Sequence, residues 1–262
     1  MGNLDFLAEQ LNFGRAFALP IFLFEKKKNI IEQMQYSYKI IYSLNQDAWN
    51  WWDSCNCVDF GVDWKAKIDP KIARKLSSKT KKEAFAFLIP YLKKKYEQEK
   101  NFFNQKEEFI KKEFSQKLEI GCEKIAQVMG RPLYRSHFQF YLTTFERAPY
   151  DEIKGIIFLP IYCKNPMAIF LHELCHFQFI HCWRKNPKSG VSRLSQEQFE
   201  FLKESLTVIL DKDFLPIIKK PDKGYEIHKD FRRELSQFWK KEKEFDKLVD
   251  FGTQKLACYS NR

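Results

Sequence analysis

Residues 167–183 read Met-Ala-Ile-Phe-Leu-His-Glu-Leu-Cys-His-Phe-Gln-Phe-Ile-His-Cys-Trp, an apolar run of helical length whose early polar positions are His172, Glu173 and His176. Asn165-Pro166 just before it is a helix start, an N-capping side chain followed by a proline at the first helical position, where a missing N–H costs nothing. A helix that is apolar on every side is buried. Two imidazoles and a carboxylate inside it then need partners, because each unsatisfied buried polar group costs on the order of 1–3 kcal/mol. Histidines four apart lie one turn above each other, so His172 and His176 can face one metal ion. Glu173, about a quarter turn away, can reach a water on that ion without binding it. The motif alone leaves a plainer reading open, two hydrogen-bonded core histidines and a glutamate paired with a lysine.

A catalytic zinc takes three protein donors and keeps a fourth position open, so a third donor is expected downstream. The candidates are His181, Glu197, Glu200 and Glu204. His181, five residues past His176, is rotated off the histidine face of a regular helix. Residues 194–210 read as a second helix, with Phe199, Leu202, Leu206 and Ile209 on its main apolar stripe and Glu204 bordering a lesser one with Phe201 and Val208. His172-Glu173-x-x-His176 followed by Glu204-Ser205-Leu206-Thr207 resembles the gluzincin division of the zincin-like metallopeptidases. That resemblance covers roughly residues 130–262 and implies Zn2+ as cofactor, His172, His176 and Glu204 as its ligands, Glu173 as general base toward a zinc-bound water, and a peptide or protein as substrate. The chain departs from the pattern in its gap of 28 residues between His176 and Glu204, and in having Thr207 and Val208 where an aspartate often follows the ligand. The glycine turn and third histidine of metzincins are absent, since position 179 is Phe and position 182 is Cys. Ile120-Gly121-Cys122-Glu123-Lys124 only faintly echoes the cysteine-ligand segment of a peptide deformylase.

Phe138–Thr144 and Gly155–Cys163 are rich in β-branched and aromatic residues and read as neighbouring strands, separated by the turn around Ala148-Pro149-Tyr150-Asp151. Proline cannot donate to a ladder, so Pro160 marks Gly155–Tyr162 as an edge strand, the one that would face an extended substrate; an ordinary hairpin covering the core fits the same residues. Pro221-Asp222-Lys223-Gly224-Tyr225 is a turn cluster, with helix again from Ile227. Hydrolysis of a carbonyl needs a donor near the developing oxyanion, and His228 and Tyr225 are candidates, with Arg232 and Arg233 one turn on.

Residues 1 to about 130 carry no readable chemical motif. Their apolar residues fall at helical spacing among Lys and Glu, and Thr80–Gln127 reads as one or two long helices interrupted at Pro90. The expected fold is therefore α+β, zincin-like and mostly helical, with a small sheet beside the active-site helix. Two regions are expected, a helical 1–115 and a zincin-like 116–262. Seven cysteines form no disulfide framework, and no signal-peptide pattern precedes them, which favours a reducing cytoplasm. The apolar run Ala16–Phe24 is too short to span a membrane, and Phe6 stands where a myristoylation motif needs Ser or Thr. A net charge of +11 permits a second class, a basic helical protein that binds nucleic acid or an acidic protein and carries a structural or vestigial zinc site. Against it, the lysines alternate with glutamates and no nucleic-acid signature is present.

Overall fold

The structure, a computed structural model, describes residues 35–59 and 61–259. Strand β1 (Ser37–Tyr42) leads into α1 (Leu44–Asn56), the two-residue strands β2 (Val58–Asp59) and β3 (Val62–Asp63), and the helices α2 (Pro70–Leu76), α3 (Lys81–Gln98) and α4 (Lys100–Val128). Strands β4 (His137–Thr143), β5 (Tyr150–Asp151) and β6 (Ile156–Pro160) come next. The chain closes with α5 (Pro166–Phe179), α6 (Gln196–Leu206), α7 (Leu215–Ile218), α8 (Lys229–Glu242) and α9 (Phe245–Tyr259). The architecture is mixed α/β, dominated by helix, with one four-stranded sheet in the order β1-β4-β6-β5 among the described residues. β1, β4 and β6 run parallel, and β5 pairs antiparallel with β6 at the edge.

Three expectations need correcting. The N-terminal segment is not wholly helical, because β1 pairs along its whole length with β4, from Ser37↔His137 to Tyr42↔Leu142. Gly155–Tyr162 is not an edge: β6 lies between β4 and β5, and Pro160 is tolerated because it ends the strand, beyond the two residues that β5 pairs. Pro90 does not interrupt its helix. α3 runs through it and breaks instead at Glu99 (φ −108°, ψ 16°). An interior proline costs about 3 kcal/mol, and α3 withstands it by burying Ala84, Leu88 and Leu92 in a core shared with Ala48, Trp51 and Cys55 of α1. Residue 115 lies within α4, and the described residues from Tyr36 onward cluster as one unit. Expectations for residues 1–34, the Ala16–Phe24 run among them, lie outside the described residues.

Aromatic packing fixes α5. Phe138 and Phe140 alternate with exposed Gln139 on β4, so both point to one face of the sheet. Phe170 of α5 packs against them, with ring centroids 5.0 and 5.5 Å away, and against Phe114 of α4 at 5.5 Å. α4 can approach because Gly121 has no side chain: a Cβ there would lie 3.0 Å from Leu171 Cδ2 and 3.3 Å from Met167 Cε. At the far end of the sheet, α1 is tied to β4 by Asp47, whose buried carboxylate accepts from Thr143 Oγ1 (2.7 Å), Thr144 N (2.8 Å) and Thr144 Oγ1 (2.9 Å).

Burial pushes the Asp47 pKa up from 3.8 to about 6 against the pull of those hydrogen bonds. Across that window folded Asp47 keeps a proton that the unfolded chain has released, so its contribution to stability falls as pH rises through it. Relative to Asp47→Asn, wild type is expected to lose about 2 kcal/mol between pH 4 and pH 7. Urea unfolding of both proteins at the two pH values checks this; a difference independent of pH contradicts it.

Candidate metal centre

Asn165 caps α5 by accepting from Ala168 N at 3.3 Å, with Pro166 at the first helical position, and its side-chain amide donates to Ile218 O in α7. The cap anchors the helix at one end. The other end passes into a π-helical turn, Ile180–Arg184, where His181 points outward and stacks on Tyr134 with ring centroids 4.1 Å apart. Between them, every residue from Glu173 to Phe179 is buried. α6 begins at a capping box formed by Ser195 and Gln198 and is aligned on α5 by Phe199, which stacks on Phe179 at 5.9 Å.

This packing brings three sequence-derived ligand candidates to one point. His172 Nε2 and His176 Nε2 are 2.9 Å apart. The Glu204 carboxylate spans both, with Oε1 3.1 Å from His176 Nε2 and Oε2 3.3 Å from His172 Nε2. Glu173 offers a carboxylate oxygen within 4.8 Å of the histidine nitrogens. Glu200 is turned elsewhere, onto Lys203 Nζ at 2.6 Å and Gln196 Nε2 at 2.9 Å. Tyr225 and His228 lie together in the turn that leads into α8. The His228 ring is buried edge-on against Phe201 at 4.6 Å and lies 5.9 Å from the Tyr225 ring. Burial and the cations of Arg232 and Lys203 bring its pKa down to about 4, although Glu204 is near enough to oppose them.

Four neighbours were not assigned from the sequence to these positions. Asp222 Oδ2 lies 2.7 Å from His172 Nδ1, so a neutral His172 that donates there presents an unprotonated Nε2 to the cluster. Asp222 is itself held on several sides: Oδ1 accepts from Gly224 N (2.8 Å), its N–H donates to Leu210 O (3.2 Å), and its carbonyl accepts from Arg232 Nη2 (2.8 Å). Gly224 makes that turn at φ +64°, where a side chain would also meet the Arg232 guanidinium. Arg232 Nη1 donates to Glu204 O (3.0 Å) and Thr207 Oγ1 (2.6 Å) at the end of α6. One guanidinium thus ties the backbone of the third candidate ligand to that of the residue orienting the first. Lys203 places a buried ammonium 3.3 Å from Glu204 Oε1 and 2.6 Å from the hydroxyl of Tyr150, whose ring is 5.8 Å from that of His176. In the sequence Asp222 and Tyr150 look like ordinary turn residues, and Lys203 like one more surface lysine.

The charges respond to this crowding. Burial opposes the charged form of His172, but Asp222 and Glu204 outweigh it and raise its pKa. Burial takes His176 down to about 3 despite Glu204. Burial also drives Glu173 up to about 8, with His172 and Lys203 pulling the other way. Glu204 resists burial because both histidines hold its carboxyl far below the usual range. Polar atoms remain unmatched: among the described residues, Glu173 Oε2, His176 Nδ1 and Glu204 Oε2 are buried without a hydrogen bond. Two imidazole nitrogens and a carboxylate converging from two helices form a donor set suited to a divalent cation such as zinc. A cation at that point would engage Glu204 Oε2 and the two closely set Nε2 atoms. Cys122, the residue of the faint deformylase echo, is buried within α4.

At the sheet edge, Phe158 N donates to Pro149 O. In an antiparallel ladder bonded and non-bonded pairs alternate, so the next pair, Tyr150↔Ile157, turns its N–H and C=O groups outward. Among the described residues, the main chain of Tyr150 therefore lies at the outer edge of the sheet, while its ring packs on α5, 5.5 Å from Phe177. No protein-family model, curated protein or solved structure matches this chain. Asp222→Ala is expected to lower zinc affinity by about 10–100-fold, measured by competition with a fluorescent chelator. Unchanged affinity would show that the Asp222 contact does not orient His172.

Proposed function

We propose that the chain is a zinc-dependent metallohydrolase, a metallopeptidase with a zincin-like fold of gluzincin type. One observation carries the reading: two imidazole nitrogens and one carboxylate from two packed helices lie within 3.3 Å of each other, and Glu173, on the helix of the two histidines, adds a carboxylate whose Oε2 is buried without a hydrogen bond. His172, His176 and Glu204 would hold the metal. Zinc in that position would supply a Lewis acid for the carbonyl and lower the pKa of a coordinated water from 15.7 toward about 7.

The chain's own groups do the rest. Glu173 Oε2, without a hydrogen bond, accepts a proton from the attacking water and returns it to the leaving amine. Asp222 keeps His172 in the tautomer that frees Nε2. The outward N–H and C=O groups of Tyr150 give an extended peptide an edge on which to add as a further strand beside His176, which favours a peptide over a compact substrate. Cys55, Cys122, Cys163, Cys175 and Cys182 are free thiols, in keeping with a reducing cytoplasm. No described helix is long and apolar enough to cross a membrane. Many of the surplus lysines sit in helical ion pairs, such as Lys111 with Glu107 and Glu108 and Lys117 with Glu113, as on a solvated face and unlike a phosphate-binding one.

The test is cleavage of a peptide library by zinc-loaded protein, with and without chelator. Wild type is expected to cleave and to stop on chelation. Glu173→Gln is expected to keep about one zinc per chain and lose about 10²–10⁴-fold in turnover. Cleavage that survives either treatment, or a zinc-loaded wild type that cleaves nothing, overturns the assignment.

A further inference from the structure

We propose that Tyr150, held by the buried ammonium of Lys203, donates the hydrogen bond that stabilises the developing oxyanion, so that the sheet edge supplies a catalytic residue. This rests on the hydrolase reading above. Three oxygens surround Lys203 Nζ: the Tyr150 hydroxyl at 2.6 Å, Glu200 Oε2 at 2.6 Å and Glu204 Oε1 at 3.3 Å. An ammonium can only donate. Tyr150 is therefore the acceptor in this contact and keeps its own proton to give, and no acceptor takes that proton among the described residues.

A phenol that accepts from a cation is polarised into a stronger donor. The site selects it further by place. Its ring lies 5.8 Å from the ring of His176 and 5.5 Å from that of Phe177, on the same face of the sheet as α5. Its main chain lies at the outer edge of the sheet among the described residues, where an incoming strand would run directly past it. One residue thus meets the substrate backbone with its peptide groups and the ligand cluster with its side chain. His228, by contrast, has its ring buried edge-on against Phe201 at 4.6 Å. Lys203 acts through Tyr150 and is a positioning residue.

The experiment is calorimetric titration of zinc-loaded protein with a phosphinic peptide, a tetrahedral anion, and in parallel with a product peptide. Tyr150→Phe is expected to keep its zinc, to bind the phosphinic peptide about 10²-fold more weakly and to bind product as wild type does. Lys203→Met is expected to weaken the phosphinic peptide too, and adding Tyr150→Phe to it should cost little more, since the pair acts as a unit. The proposal is overturned if Tyr150→Phe leaves phosphinic affinity unchanged, if it weakens both ligands alike, if the Tyr150 and Lys203 effects add in full, or if the selective loss appears in His228→Ala instead. A wild type that takes up zinc and binds the phosphinic peptide but cleaves no peptide removes the peptidase reading while Tyr150 is still decided by these affinities. A wild type that takes no zinc, or binds no phosphinic peptide, removes both.

Discussion

Burying charge is the constraint on which the rest of this structure turns. Glu173, His176, Lys203, Glu204 and Arg232 all lie in the interior, and His172 and Asp222 are largely enclosed. Taking such groups out of water costs several kcal/mol per ion unless each finds a partner. The second half of the chain is arranged around those partners. Asp222 meets the outer nitrogen of His172, Arg232 meets the end of α6 and the Asp222 loop together, and Lys203 lies between Glu200, Glu204 and Tyr150. After that pairing, Glu173 Oε2, Glu204 Oε2 and His176 Nδ1 remain buried without a hydrogen bond, beside two Nε2 atoms only 2.9 Å apart, where a metal and a catalysed proton transfer would need donor atoms.

The apolar half of the design sets where this happens. Phe170 locks α5 to the sheet through Phe138 and Phe140, and Gly121 lets α4 close over it. A helix held this firmly on both sides presents its histidines to α6 with little freedom to move, which is the preorganisation a metal site needs. The antiparallel strand β5 then brings the outer edge of the sheet, among the described residues, beside the same helix. Tyr150 links the two, with its peptide groups at that edge and its hydroxyl on Lys203 beside the cluster.

What could be read in the sequence follows from how local each signal is. The Asn165-Pro166 start, the histidine spacing and the stripe that places Glu204 on a second helix are all set within a few residues, and the structure has a helix at each place. Adjacency of β4 and β6 was also legible from their composition. β1 has the same kind of composition, with Tyr38, Ile40, Ile41 and Tyr42 among its six residues, but it is short and its partner β4 lies 100 residues on, so no local signal joins the two. Pro90 misled for a similar reason: its cost is local, while the burial that outweighs it comes from another helix. Asp222 and Tyr150 lie in turn-like sequence, and their roles arise only when the chain folds back to place them on His172 and Lys203.

The central claim is that His172, His176 and Glu204 share one metal ion. Anomalous diffraction at the zinc edge, from crystals grown with zinc, tests it without reference to any substrate. A single strong peak about 2.0–2.2 Å from His172 Nε2, His176 Nε2 and a Glu204 carboxylate oxygen is the predicted result. No peak at that point, or a peak coordinated by other side chains, would contradict the account.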